Sequence, residues 1–298
     1  MNLHRHLLHI DTAILQKDGG IFFGLKVYRL NDSARVEKDS AMLVIDTTYP
    51  AKDFNERDDE AVRQVIVHYT AAPFASSLRT LTQLGVSAHY LLPDPREASY
   101  KAAGYDELRV FRLVNERQRA WHAGASHWAG RDNLNSRSIG IEIVNLARDE
   151  GGVFTFAPYA SEQIEVLIAL IRDICRRYPQ IGATDILGHS DVAYGRKSDP
   201  GPRLPWQRLF EAGIGAWFDE AVKAAYQRRF RLGLPMEVEI ERAFQRYGYA
   251  PAKNRQAFQQ RVRAFQMHFR PADYCGQLDV ETCAILYALN EKYSCTPE

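Results

Sequence analysis

Apolar residues recur along this chain at two periods, and the place where the period changes divides it. Between residues 62 and 206, short β-branched runs alternate with amphipathic stretches. Val65-Ile66-Val67, Ser138-Ile139-Gly140-Ile141-Glu142-Ile143-Val144 and Ile186-Leu187 read as strands. A helix is predicted over residues 161–178, because Ile164, Leu167, Ile168, Leu170, Ile171 and Ile174 keep helical spacing. Ser161 offers a capping oxygen, Glu162 and Glu165 put negative charge near the helix start, and Pro179 ends it. Strands alternating with helices predict an α/β sheet covered by helices.

Outside that stretch the pattern changes. Before it, Gly19-Gly20 separates two strand-like runs, residues 22–30 alternate as a strand would, and a small hairpin-bearing extension over 1–60 is expected. After Gly213 the strand signal stops, and helices are predicted over 237–247, 254–269 and 280–293, split by turn segments at 248–251 and 271–278. Their stripes are Ile240, Ala243, Phe244 and Tyr247, then Phe258, Val262, Phe265 and Phe269, then Ile285, Leu286 and Leu289. These can close one small core. The expected division is an extension over 1–60, an α/β domain over 61–215, a linker over 216–235 and a helical domain over 236–298.

Composition narrows the function classes. With 298 residues, 46% of them hydrophobic, and a net charge of +1, the chain can bury a real core but carries no global field for nucleic acid. Residues 226–270 hold ten Lys or Arg against three Glu, yet interleaved exposed aromatics and a groove-binding motif are missing, so a solvated helix face is the plain reading. No eighteen-residue apolar run predicts a membrane span, and residues 1–11 lack the apolar centre of a secretory signal. Cys175, Cys275, Cys283 and Cys295 form no C-x-x-C pair, which argues against a structural zinc site on cysteine. Cys175 falls in a helical stretch as a core thiol, and the last three allow one disulfide in an oxidising compartment.

Candidate chemistry gathers in Gly188-His189-Ser190-Asp191 and the segment from Gly195 to Pro202. His189 and Asp199 stand ten residues apart, with Lys197 two before the acid. His68 closes the Val65-Ile66-Val67 strand, so both imidazoles arrive at strand ends and can share one metal. Two histidines and a carboxylate fill three corners of a zinc tetrahedron and leave the fourth for water. Asp191 competes with Asp199 for the third place. Glu142 alternates away from Ile139, Ile141 and Ile143, and a mid-strand carboxylate is costly unless its face opens on a site.

These segments, together with Ser87-Ala88-His89-Tyr90, Trp121-His122-Ala123-Gly124 and Asn135-Ser136-Arg137, resemble in family order the zinc-dependent N-acetylmuramoyl-L-alanine amidases related to T7 lysozyme, across roughly residues 60–215. The tail, through residues 264–271 and 276–282, resembles the three-helix peptidoglycan-binding module of the Gram-negative branch. The resemblance implies a mixed central sheet flanked by helices and a small C-terminal three-helix domain. It implies Zn²⁺ on His68, His189 and Asp199, leaving Asp191 to cap its turn or orient an imidazole. Glu142 is then the base and Lys197 the cation beside the oxyanion. His89, Trp121, His122, Asn135 and Arg137 are substrate-binding candidates. Arg196 is expected at the surface or on substrate, and His4, His6, His9, His127 and His268 at the surface.

The implied reaction is hydrolysis of the amide between the lactyl group of N-acetylmuramic acid and L-alanine. Peptidoglycan is the expected partner, nucleic acid is not, and the basic tail would attract wall-peptide carboxylates. A second engaging module favours polymeric wall. The alternatives are cytoplasmic recycling of 1,6-anhydro-muropeptides and a receptor without activity, the last opposed by the presence of all five reactive residues. An enzyme for polymer without a secretory signal suggests delivery by a contact-dependent machine such as type VI secretion, with an immunity protein or secretion component as partner.

Overall fold

The computed structural model of the chain describes residues 25–28, 43–57, 61–150 and 153–293. Seven strands form the central sheet: β1 Leu25–Tyr28, β2 Leu43–Asp46, β3 Gln64–Tyr69, β4 Tyr90–Leu92, β5 Val110–Arg112, β6 Ser138–Ile143 and β7 Ile186–Gly188. Their order is β1-β2-β5-β4-β6-β3-β7. The sheet is mixed: β4, β6, β3 and β7 are successive parallel neighbours, whereas β4 with β5 and β1 with β2 run antiparallel. Val65, Ile66, Val67, Ile139, Ile141 and Ile143 are fully buried, as strands covered on both sides require.

Helix α1, Phe74–Gln83, and helix α2, Ser161–Arg177, flank the sheet. The apolar stripe of α2 is buried as its spacing predicts, but its cap differs. Ala160 is the N-cap and Gln163 Oε1 accepts from its N–H at 2.9 Å, which places Ser161 inside the first turn, where its oxygen caps nothing. The extension also differs from expectation. Strand β2 lies between β1 and β5, so residues 43–46 are built into the sheet. Strand β1 falls within the expected 22–30 stretch, and Gly19-Gly20 lies outside the described residues.

One turn of helix, α3 His189–Val192, follows β7 directly. The tail comprises α4 Glu220–Phe230, α5 Glu237–Tyr247, α6 Arg255–Phe269 and α7 Val280–Lys292. Helix α4 occupies most of the expected linker and packs on α7. Its alanines and charges lack a stripe of large apolar residues, so the hydrophobic pattern does not announce it. The tail is no tethered module either. Trp128 meets Tyr247 and Tyr249 edge-on at centroid distances of 5.9 and 5.0 Å, and one hydrophobic cluster runs from the sheet into α5, α6 and α7. Cys175 packs against this core; Cys275, exposed, and Cys283, buried, are both free thiols, and Cys295 lies outside the described residues.

Candidate metal centre and cleft

Parallel strands deliver the site. In register, Glu142 of β6 lies beside His68 of β3, and Gly188 of β7 beside Val67, so His189 emerges next to His68 at the carboxyl ends of neighbouring strands. Open α/β sheets place ligands at such ends. Asp199 returns from the loop after α3, its carbonyl accepting from Ser190 N–H at 2.8 Å.

His68 Nδ1, His189 Nδ1 and Asp199 Oδ2 then form a nearly equilateral triangle, with sides of 2.9, 2.9 and 3.0 Å. All three residues are buried. The hydrogen bonds behind the triangle decide the tautomers. Nε2 of His189 faces the carbonyl of Ala123 at 2.9 Å and must donate to it, which leaves a lone pair on Nδ1. Ser138 Oγ donates to the Leu134 carbonyl at 2.6 Å, so it accepts from His122 Nε2 at 3.2 Å. His122 Nδ1 therefore accepts from His68 Nε2 at 3.0 Å, and Nδ1 of His68 also presents a lone pair. Two imidazole lone pairs and a carboxylate oxygen aimed at one point make a donor set able to hold a metal ion.

Electrostatics agrees. Burial, aided by His189, pushes His68 down to about 4, so the ring is neutral at pH 7. Burial alone would raise Asp199, but the electrostatic influence of the neighbouring imidazoles, His189 first, holds its carboxyl well below the ordinary range. Glu142 moves the other way: burial, then the charge of Asp199, pushes it well above the usual carboxylate range, with Lys197 opposing. Its Oε2 is buried without a hydrogen-bond partner. Glu142 is thus a strand carboxylate turned into a site, not a surface Glu paired with Arg137 or Arg148.

A cleft of about 500 Å³ opens over the triangle, lined among others by Glu142, Lys197, Arg196, Trp121 and His122. Gly140 makes room for His122, since a Cβ there would collide with its ring. Arg196 is held by the carbonyls of Ala123 and Ala125 at 2.6 and 2.7 Å.

Three sequence candidates lie away from the cleft surface. His89 Nδ1 accepts from Gly140 N–H at 3.0 Å and Nε2 donates to Gln118 O at 3.0 Å, so this fully buried ring, lowered by burial to about 3, ties strands together. Asn135 Oδ1 accepts from the N–H groups of His122 and Ala123 at 3.2 and 2.8 Å, bracing the turn that carries them. Arg137 precedes β6, five residues before Glu142, hence about 16 Å along an extended strand from the cleft end. His268 is buried, not superficial, and bonds Asp191 Oδ2 at 2.8 Å. Asp191 does cap its turn, accepting from Gly188 N–H at 2.8 Å.

The cleft also contains residues that the sequence did not single out. Gln260, Arg263 and Met267 come from α6, and Phe154 from the hairpin of Arg148–Glu150 and Val153–Thr155. Gly195, at φ +77, admits Gln260 against the loop bearing Lys197, where a Cβ would collide with its amide. That glycine in the reactive loop was the available signal of a close approach.

Residues 58–202 match the family model described as N-acetylmuramoyl-L-alanine amidase. The chain is 43% identical over 238 residues to the N-acetylmuramoyl-L-alanine amidase AmiD of Escherichia coli, covering 78% of this chain and 83% of that protein. Among solved structures it is similar to AmpDh3 from Pseudomonas aeruginosa, at 57% identity and a TM-score of 0.77 over 78% of this chain and 93% of that one. It also resembles a complex of the E. coli AmiD with anhydro-N-acetylmuramic acid-L-Ala-D-γ-Glu-L-Lys, at 41% identity and a TM-score of 0.69 over 87% and 98% of the two chains. With this similarity spanning sheet, cleft and tail, the chain belongs to the N-acetylmuramoyl-L-alanine amidase family, as an enzyme cleaving the bond between N-acetylmuramic acid and L-alanine.

Proposed function

We propose that the protein is a zinc-dependent amidase in which His68, His189 and Asp199 hold the ion, Glu142 moves the proton and Lys197 stabilises the oxyanion. The observation that carries this reading is the triangle of donor atoms with its tautomers fixed from behind and an unpartnered Glu142 carboxylate beside it. Two nitrogens and one oxygen suit zinc, and three protein ligands are the number a catalytic site uses. Bound there, zinc would lower the pKa of a water molecule and polarise the scissile carbonyl.

The chain's own residues account for the rest. Glu142, with its raised proton affinity, takes a proton from the attacking water and returns it to the leaving amine of L-alanine. Lys197 places an ammonium where negative charge develops on the carbonyl oxygen, close enough that both Glu142 and His68 feel its charge. Trp121, its indole N–H bonded to Asn55 Oδ1 at 2.6 Å, offers an apolar face to a sugar ring.

For the substrate, soluble anhydro-muropeptides are the better-supported reading. The case for polymeric wall rested on a separate anchoring module, but here the tail shares the sheet's core and lines the cleft. The relatives AmpDh3 and AmiD are described with an anhydromuramic pentapeptide and an anhydro-muramyl tripeptide. Mass spectrometry of products from intact sacculi and from soluble muropeptides, with chelator and after zinc is restored, tests both parts. Chelator-sensitive release of stem peptide from soluble fragments supports the proposal; cleavage that survives chelation removes the zinc reading. Efficient release from sacculi would return the polymer to first place. The antibacterial-effector reading rests on the sequence expectation alone, and harmlessness of the protein in a periplasm would end it.

A further inference from the structure

Helix α6 carries two arginines, two residues apart, with opposite surroundings. Arg261 is fully buried with both terminal nitrogens engaged: Nη1 donates to Glu241 Oε1 at 2.9 Å and to the Ala250 carbonyl at 3.0 Å, and Nη2 to Glu241 Oε2 at 2.5 Å, while its Nε is left without a partner. Arg263 lines the cleft. Its guanidinium carbon lies 4.8 Å from the centroid of the Phe154 ring and 5.7 Å from that of Tyr274. Phe154 in turn stacks on Phe156 at 5.8 Å and 4°. Among the described residues no carboxylate or carbonyl bonds to the Arg263 fork. Aromatic packing therefore holds the cation in place and leaves its planar donors unused.

We infer that Arg263 is a specificity residue that binds a carboxylate of the substrate's stem peptide. The inference deepens the proposed function and rests on it. A guanidinium fork with free donors matches a carboxylate in two parallel hydrogen bonds, which a lysine cannot reproduce. Gln260, one helical turn before it and seated against the Lys197 loop, ties this subsite to the reacting centre. The chemistry of the ligand is suitable: a γ-linked D-glutamate one residue beyond L-alanine keeps its α-carboxylate free, and a peptide terminus supplies a second carboxylate. The fusion of the tail to the sheet thereby acquires a role in substrate selection, because α6 supplies a wall of the cleft that a freely tethered module would not.

The test is the hydrolysis of three anhydro-muramyl peptides by the wild-type holoenzyme and by Arg263→Ala and Arg263→Lys: one with both carboxylates free, one amidated at the γ-linked D-glutamate, and one amidated at the terminus. The wild type is expected to favour the free acid over one of the amidated peptides by about ten- to a hundredfold in kcat/KM, the size of a charge-assisted pair. Arg263→Ala should erase most of that preference through KM, Arg263→Lys should restore part of it, and the peptide whose amidation mattered identifies the carboxylate. Binding of the uncleaved free-acid peptide to metal-free protein, measured by calorimetry, should weaken by a similar factor in Arg263→Ala. An equal loss on all three peptides, or none on any, with an unchanged melting temperature would overturn the inference. A wild-type enzyme that cleaves none of them would instead strike the proposed function itself.

Discussion

Two histidine–aspartate clusters sit side by side in this protein, seeded by residues two apart in one helical turn, and their chemistry is opposite. His189 joins His68 and Asp199 so that three acceptors face one point and every donor points away from it. Asp191 joins His268 and Tyr249 and is saturated: it accepts from Gly188 N–H at 2.8 Å, from Tyr249 O–H at 2.6 Å and from His268 Nδ1 at 2.8 Å. His268 is stacked between Trp206 and Phe269, with centroids 3.8 and 3.9 Å away. The first cluster collects unspent lone pairs and can take an ion. The second spends its carboxylate on three donors, leaves only the buried His268 Nε2 without a partner, and fastens α6 to the turn that carries His189. Ligand capacity is thus decided by what the neighbours have already consumed, not by residue type.

The largest effect should come from emptying the first cluster. Asp199→Ala, like exhaustive chelation of the wild type, is expected to abolish tight zinc retention and lower kcat/KM by about 10⁴-fold, since nucleophile activation and carbonyl polarisation are lost together. Metal analysis after dialysis, paired with muropeptide kinetics, measures both; zinc retained in the variant would refute the ligand assignment. Glu142→Gln should keep the metal and lose about 10³-fold in kcat, separating proton transfer from ligation within one cluster. A variant with near-normal kcat would show that Glu142 is not the base.

The second cluster should answer in stability. Asp191→Ala leaves buried donors of His268, Tyr249 and Gly188 unpaired and is expected to cost about 3 kcal/mol, read by chemical denaturation, while zinc retention persists. Loss of zinc without loss of stability would erase the contrast between the clusters. Acidification probes the neutral rings. His68 and His89 have folded pKa values depressed to about 4 and 3, so below the unfolded value near 6.5 the unfolded chain binds protons that the folded one refuses. Stability of the metal-free protein is therefore complete above about pH 6.5 and falls as pH drops, by about 1 kcal/mol per ring between pH 7 and 5.5. His89→Gln should remove one ring's share of that slope, and an identical slope would contradict the assignment. Tyr249→Phe, deleting one hydrogen bond to Asp191, should be smallest, about 1 kcal/mol in denaturation midpoints.

Much of this was legible in the chain. The β-branched runs ending in His68 and His189, the alternation that turns Glu142 from Ile139 and Ile141, and the start of α5 at Glu237 follow from period and composition. The weakly patterned helix α4 and the N-cap at Ala160 did not, because alanine-rich and side-chain-to-backbone signals are faint beside hydrophobic stripes. His89, Asn135 and Arg137 were drawn to the site by their neighbours in sequence. The structure assigns the first two to bracing, and leaves Arg137 at the far end of its strand, because function here follows distance through space.

By itself the sequence determined which side chains could do the chemistry and which runs would be strands and helices, because those depend on residue type and local period. Only the tertiary structure set Asp199, and not Asp191, against both imidazoles, fixed the imidazole tautomers, and brought Arg263 into the cleft. The first two turn on hydrogen-bonding groups that meet far along the chain, as His68 meets His122 and Asp199 54 and 131 residues away, and the third on aromatic packing between distant segments; no local pattern encodes such meetings.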